Sequence, residues 1–213
     1  MNKFELVCFD VDGTLVDGIS WLLLTKGLGC STGKHLDIFN RSKKGEISFS
    51  EGERMLTKMY QESGNATRKF IKELFSKVKL KPEAKEIISY LKKKKYKIYL
   101  ISGAIDIYAE EIAKKLEVDG FYANSSLKFD KDGVLEKIYY QDNQGEIKVK
   151  QLHELARKLG IGMNKIVFIG DSDNDIEVFK KIGHGISVGS SNEELKKIAW
   201  KTIDSLEQIK DIL

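Results

Sequence analysis

From Phe4 to Asp10 the chain is almost continuously apolar. That pattern predicts a strand buried on both faces of a parallel sheet, because a half-exposed strand would alternate instead. From about Ile19 to Val78 the pattern changes to helical spacing, over 19–28, 32–42, 49–62 and 66–77, with Asn65 as the expected N-cap of the last helix. Alternation of helix and strand then resumes. A helix over 82–95 opens at Pro82, the single proline, whose missing N–H costs nothing in a first turn. Strand Lys97–Ile101, a helix from Asp106 to Leu116 and a strand near Phe121–Ala123 follow. Leu127–Phe129 and Val134–Ile138 flank a turn at Asp130–Gly133 and predict a hairpin. A helix over Ile147–Leu159 ends at Gly160, and strand Ile166–Ile169 runs into Gly170-Asp171. Helix 174–181, strand 185–188 and helices near 193–199 and 205–212 complete the reading. The predicted fold class is α/β: a Rossmann-like parallel sheet sandwiched by helices, interrupted after its first strand by a helical bundle.

Composition agrees with a folded chain of one domain plus an insert. Of 213 residues, 41% are hydrophobic and 32% charged, enough of both for a large core and a polar surface. The net charge of +4 comes from a Lys-rich surface. The run Lys92–Lys95 reads as a solvated helix end, since no aromatic residues interleave it, and no nucleic-acid partner is expected. Cys8 and Cys30 make no disulfide framework, and Cys8 is expected as a small buried hydrophobe. No apolar run approaches the roughly 18 residues of a membrane span, and no signal peptide is expected, so the expectation is a cytoplasmic protein without a membrane partner, a monomer or weak homodimer.

Polar residues follow the apolar strands at three places: Asp10 and Asp12, Ser102 and Gly103, and Asp171 through Asp175. In a parallel sheet these strand ends meet along one edge, where open α/β sheets bind ligands. Lys148, near the start of a helix, is a fourth candidate, with Lys150 as its competitor. Carboxylates gathered within a few ångströms repel one another and raise each other's pKa. A hard divalent cation relieves that repulsion, and Mg²⁺ needs only one or two carboxylates, keeping water and phosphate as its other ligands. The set therefore suits phosphoryl transfer. The competing reading makes Asp10 and Asp12 turn residues and Asp171 and Asp175 the cap and first turn of a helix. Four acidic or amide groups within 171–175 exceed what capping needs.

The motifs Asp10-Val11-Asp12-Gly13-Thr14-Leu15-Val16, Leu100-Ile101-Ser102-Gly103, Lys148 and Gly170-Asp171-Ser172-Asp173-Asn174-Asp175 resemble, in order, the four motifs of the haloacid dehalogenase superfamily. The resemblance spans nearly the whole chain. It implies a core of residues 1–17 and 78–213 and a type I helical cap of residues 18–77, as in the phosphoserine phosphatase-like subfamily. It implies Asp10 as the nucleophile that becomes an aspartyl phosphate, and Asp12 as the acid/base that also lends its carbonyl to Mg²⁺. Asp171 would be the second carboxylate ligand beside Asp10. Ser102, Gly103, Lys148 and Asn174 would hold the phosphoryl group, with Asp175 supporting Lys148. The implied partner is a small-molecule phosphate ester, and the implied activity a phosphomonoester hydrolase. A phosphotransferase or mutase using the same intermediate, and a receiver-like or metal-binding protein without turnover, are the rivals. Where that subfamily is expected to grip phosphoserine, this chain has Ile19 for an acidic residue and Leu56 for an arginine. Arg41 and Arg54 are the remaining cap cations, and another small phosphomonoester is as well supported as phosphoserine.

Overall fold

The computed structural model describes residues 3–189 and 192–213. Seven strands form one sheet in the order β4-β3-β2-β1-β5-β6-β7. They are β1 (Leu6–Phe9), β2 (Lys97–Ile105), β3 (Gly120–Phe129), β4 (Leu135–Tyr139), β5 (Ile166–Gly170), β6 (Gly185–Val188) and β7 (Lys201–Ile203). All pairs are parallel except β3–β4. β1 is central because both its faces are buried. Val7 and Phe9 join the apolar cluster on one side of the sheet, while Leu6 and Cys8 join the cluster on the other. The first cluster is roofed by α5 (Ala84–Lys93) and α6 (Asp106–Leu116), the second by α7 (Gln144–Leu159) and α8 (Ile176–Ile182). A short α9 (Glu193–Ile198) leads to the edge strand β7.

Four helices lie between β1 and α5: α1 (Ser20–Gly27), α2 (Thr32–Lys43), α3 (Phe49–Gln61) and α4 (Arg68–Ser76). Their amphipathic faces close on one another and on the β3–β4 hairpin. The free edge of β4 is covered rather than left to solvent, which removes a template for strand addition. The Leu135 N–H donates to the Ala66 carbonyl at 2.8 Å and the Arg68 N–H to the Gly133 carbonyl at 2.8 Å. The Gln61 side chain donates to the Leu135 carbonyl at 2.8 Å.

Several expectations are corrected by packing. Strand segments expected separately at 121–123 and 127–129 are one strand, β3, whose first half pairs with β2 and whose second half pairs with β4. The N-cap of α4 is Thr67, not Asn65, because the Thr67 hydroxyl reaches the Phe70 N–H at 3.2 Å. Pro82 precedes α5, which begins at Ala84 after Glu83. The last element is a 3₁₀ segment over Leu206–Asp211, closed by a capping box between Ser205 and Gln208. The three-residue β7 was absent from the sequence reading, being too short to carry a period.

Inside the four-helix region the Thr25 hydroxyl meets His35 Nδ1 at 2.7 Å and the Tyr60 hydroxyl at 2.7 Å. Burial pushes the His35 pKa down from 6.5 to about 4. The folded state therefore holds a neutral imidazole, and between these two values the unfolded chain binds a proton that the folded chain does not. The His35 contribution is complete above the unfolded value, declines as pH falls from about 6.5 toward about 4, and is flat below. Urea-denaturation midpoints measured across this interval should fall with acid in the wild type. They should fall less steeply in His35→Gln, and parallel curves would refute the assignment.

Candidate active site at the carboxyl edge of the sheet

Register brings the polar residues together. Phe9 lies opposite Leu100 on one side and Ile169 on the other. The residues just beyond these partners are therefore neighbours at one edge: Asp10 after β1, Ser102 on β2 and Asp171 after β5. The Asp10 N–H donates to the Ile169 carbonyl at 2.9 Å, which fixes the start of its loop. β2 breaks register between Ser102 and Ile105, so Ser102, Gly103 and Ala104 form an irregular stretch at the sheet rim. Bulges of this kind re-aim side chains next to functional sites. The Ser102 Oγ accepts the Ala104 N–H at 3.1 Å, and the Ser125 hydroxyl donates to the Gly103 carbonyl at 3.0 Å.

Close approach explains Gly13. It adopts φ of 77°, and a Cβ there would lie 2.1 Å from Asp171 Oδ2. With glycine in place, the loop after β1 folds against Asp171, and the Thr14 hydroxyl donates to Asp171 Oδ1 at 2.9 Å. Lys81 donates to the Gly13 carbonyl at 2.5 Å from beneath the same loop.

Lys148 is fully buried and sits among three acceptors. Its Nζ lies 3.1 Å from Asp10 Oδ1, 2.6 Å from Asp175 Oδ1 and 2.5 Å from Asn174 Oδ1. An ammonium has three protons, so this set saturates it. Burial works to strip the proton, but Asp10 and Asp175 outweigh it, and the Lys148 pKa moves up. Lys150 is exposed.

Oxygen atoms from Asp10, Asp171 and Asp175 lie within 4.8 Å of one another. The three are not equivalent. Asp175 spends Oδ1 on Lys148 and Oδ2 on the Asp171 and Ser172 N–H groups at 3.1 and 3.2 Å. It serves as a bracket for the loop. No described residue donates a hydrogen bond to Asp171 Oδ2 or to Asp10 Oδ2, and Asp10 Oδ1 has only its ion pair with Lys148. Two free carboxylate oxygens on facing loops fit a divalent cation of the Mg²⁺ type, which takes few protein ligands. Burial first, and then Asp10, push the Asp171 pKa up to about 6, as expected of carboxylates placed together without a cation.

Asp12 is turned away from this group. Its Oδ2 accepts the Ser20 N–H at 2.9 Å and the Ser20 hydroxyl at 2.7 Å. Tyr108 is a further neighbour of this carboxyl, whose Oδ1 is buried without a hydrogen-bond partner. Burial lifts the Asp12 carboxyl to about 7, so the protonated acid is accessible near neutrality.

A cavity of about 750 Å³ opens above these groups, lined at its base by Asp10, Asp12, Ser102, Gly103, Asp171 and Asn174. Lys148 and Asp175 lie beneath its floor. Arg41 and Arg54 are not brought to it; Arg41 reaches toward Asp37 and Glu46, each at 3.8 Å, and Arg54 is exposed. Three neighbours escaped the sequence reading. Ser20 holds Asp12, Tyr108 lies beside that carboxyl, and Gln144 lines the cavity beside Gly103, whose Cβ, if present, would lie 2.7 Å from Gln144 Oε1. Ser20 and Gln144 each open a helix, a position where a polar side chain looks like ordinary capping.

A sequence profile of the haloacid dehalogenase-like hydrolases matches residues 4–183. The chain belongs to this family. Its relatives include several phosphoserine phosphatases. It is 28% identical over 197 residues to the phosphoserine phosphatase of Archaeoglobus fulgidus, covering 92% of this chain and 55% of that protein. It is 27% identical over 187 residues to that of Methanocaldococcus jannaschii, covering 85% and 84%. The chain thus spans about half the length of the Archaeoglobus relative and most of the Methanocaldococcus one. Among solved structures, a substrate-bound phosphoserine phosphatase complex superposes with a TM-score of 0.75 at 26% identity over 99% of both chains. A phospho-aspartyl intermediate analogue of phosphoserine phosphatase gives 0.75 at 25% identity over 100% of both.

The saturated ammonium at the centre of this family site predicts an asymmetry between two nearby lysines. Lys148→Met leaves buried carboxylates without a partner and should cost about 3–5 kcal/mol in metal-free urea unfolding. Lys150→Met, at an exposed position, should stay within about 0.5 kcal/mol of wild type. Equal stability of the two variants would contradict the assignment.

Proposed function

We propose that this haloacid dehalogenase-like hydrolase is a Mg²⁺-dependent phosphomonoester hydrolase of small metabolites that works through a phosphoryl group on Asp10. The observation that carries the reading is the position of Asp10. Its Oδ1 lies 3.1 Å from Lys148, and the carboxylate shares a cluster with Asp171 and Asp175 in which one oxygen from each lies within 4.8 Å of the others. That leaves a carboxylate oriented by its neighbours at the base of the cavity.

In this reading Asp10 and Asp171 hold Mg²⁺, with the Asp12 carbonyl as a third protein ligand. The ion, when bound, neutralises phosphate oxygens that would otherwise be repelled by the carboxylates. Asp10 attacks phosphorus through a carboxylate oxygen, and the bond to the leaving oxygen breaks. The proton on the Asp12 carboxyl passes to that oxygen, and Asp12 then takes a proton from the water that releases phosphate. Ser102, Gly103 and Asn174 line the base of the cavity and bind the phosphoryl oxygens. Lys148 acts from below. With its three protons committed to Asp10, Asn174 and Asp175, it orients the nucleophile and balances its charge. Asp175 positions Lys148.

The core comprises residues 1–17 and 78–213, and the helices within 18–77 form a cap over the cavity. The cap contributes Trp21, Phe39 and Leu56 to the cavity lining and excludes bulk water from the phosphoryl group.

Steady-state assays with p-nitrophenyl phosphate test this function. Wild type should turn over with Mg²⁺ and lose activity in EDTA. Asp10→Asn should fall by about three orders of magnitude or more, since it removes the group that forms the covalent bond. Asp12→Asn should lose about 10²–10⁴-fold with an alkyl phosphate, whose leaving oxygen needs a proton, and less with p-nitrophenyl phosphate. Undiminished turnover by Asp10→Asn would refute the proposal.

A further inference from the structure

Away from its base the cavity lining is mostly apolar, and Asp142, Glu146, Asp173 and Glu177, which also line it, are exposed to water. Above the carboxylates its wall is made by Ile19, Leu22, Leu36, Phe39, Phe49 and Leu56. Ile19 and Leu36 are 53% and 42% exposed, unusual for large hydrophobic side chains, and both face this space. The cavity volume of about 750 Å³ falls in the range of about 300–1,000 Å³ that encloses an organic ligand, so the wall is a binding surface well beyond the reach of a phosphate group.

The wall also lacks a counter-ion for an anion. Among the described residues lining it there is no arginine, and Lys43 is the only lysine. The Lys43 side chain is 58% exposed, lies 4.0 Å from Asp173, and rests over the Phe39 ring. His35 lines the wall but stays neutral, as its hydrogen bonds to Thr25 and Tyr60 require no second proton. Glu53 is committed, its Oε1 accepting the Tyr140 N–H at 2.6 Å. A carboxylate or a ring of hydroxyls placed against these six apolar side chains would be buried without partners. A methylene placed here would gain up to about 0.8 kcal/mol.

We propose that the leaving group is an uncharged apolar alcohol, so that the substrates are alkyl or aryl phosphate monoesters and not amino-acid or sugar phosphates. This rests on the reading of Asp10 as the phosphoryl acceptor. It assigns Ile19, Leu36 and Leu56 to the recognition of the organic group.

The test is a series of kcat/KM values with Mg²⁺ for ethyl, butyl and hexyl phosphate, beside 6-aminohexyl phosphate, the phosphate ester of 6-hydroxyhexanoate and phosphoserine. Efficiency should rise by up to about fourfold per methylene along the alkyl series. Hexyl phosphate should exceed its amino and carboxylate analogues by about tenfold or more, because each buries a charge against the apolar wall. Leu56→Asp should lower the hexyl-to-ethyl ratio by about tenfold, a ratio that a general loss of folded protein does not change. A flat alkyl series, or a preference for phosphoserine or the aminohexyl ester, would overturn the inference while leaving the phosphatase reading standing. Turnover of none of these esters would overturn both.

Discussion

Everything at the carboxyl edge of the sheet depends on one problem of electrostatics: three carboxylates, Asp10, Asp171 and Asp175, are drawn together where water is scarce. Lys148 is the part of the answer that the chain itself supplies. It is wholly buried, donates to Asp175 and Asn174, and pairs with Asp10 at 3.1 Å. Such a cluster is stabilised only as a unit, because removing one member leaves another charged and unpaired. One ammonium cannot balance three carboxylates, however, and the Asp10, Asp171 and Asp175 cluster could hold a metal ion as well. The fold's stability and its proposed chemistry thus share an origin.

The same logic separates the two aspartates of the first loop. Asp10 is held by an ammonium, and Asp12 by the neutral donors of Ser20, its N–H and its hydroxyl. Burial against neutral donors leaves Asp12 with a carboxyl that retains its proton to about 7. Two carboxylic acids separated by one residue are thereby given different environments, the usual way in which a nucleophile and a proton donor are made from one residue type. Ser20 opens the first helix after β1, so the entrance to the four-helix region is tied directly to the acid. Any movement of those helices would be felt at Asp12.

Much of this was legible in the sequence, and the reasons are physical. β1 and β5 are buried on both faces, which makes their apolar runs continuous, and their register delivers Asp10 and Asp171 to one edge. Helix periodicity found the four-helix region because each helix hides one face. What the sequence concealed depends on contacts between distant segments. β3 is a single strand because its two halves meet different partners, and Thr67 displaced Asn65 as a cap through a hydroxyl that happens to reach Phe70. Tyr108 looks like a core aromatic on the buried face of α6, and only the fold shows it to be a neighbour of Asp12. The free choice between Lys148 and Lys150 was resolved by helix phase, since residues two apart cannot share a face. Ile19 and Leu56 were visible as departures from the subfamily pattern. Their meaning, an apolar wall, needed Leu22, Leu36, Phe39 and Phe49 brought beside them.

The central claim is that Asp10 accepts the phosphoryl group while Lys148 and a divalent cation hold the surrounding charge. The most direct measurement is acid quenching of the protein during turnover of a ³²P-labelled phosphate ester, followed by peptide mapping of the label. The account predicts an acid-stable, base-labile acyl phosphate on the peptide carrying Asp10, formed with Mg²⁺ and absent in EDTA. Label on another residue, or turnover with no labelled protein under any quench, would contradict it.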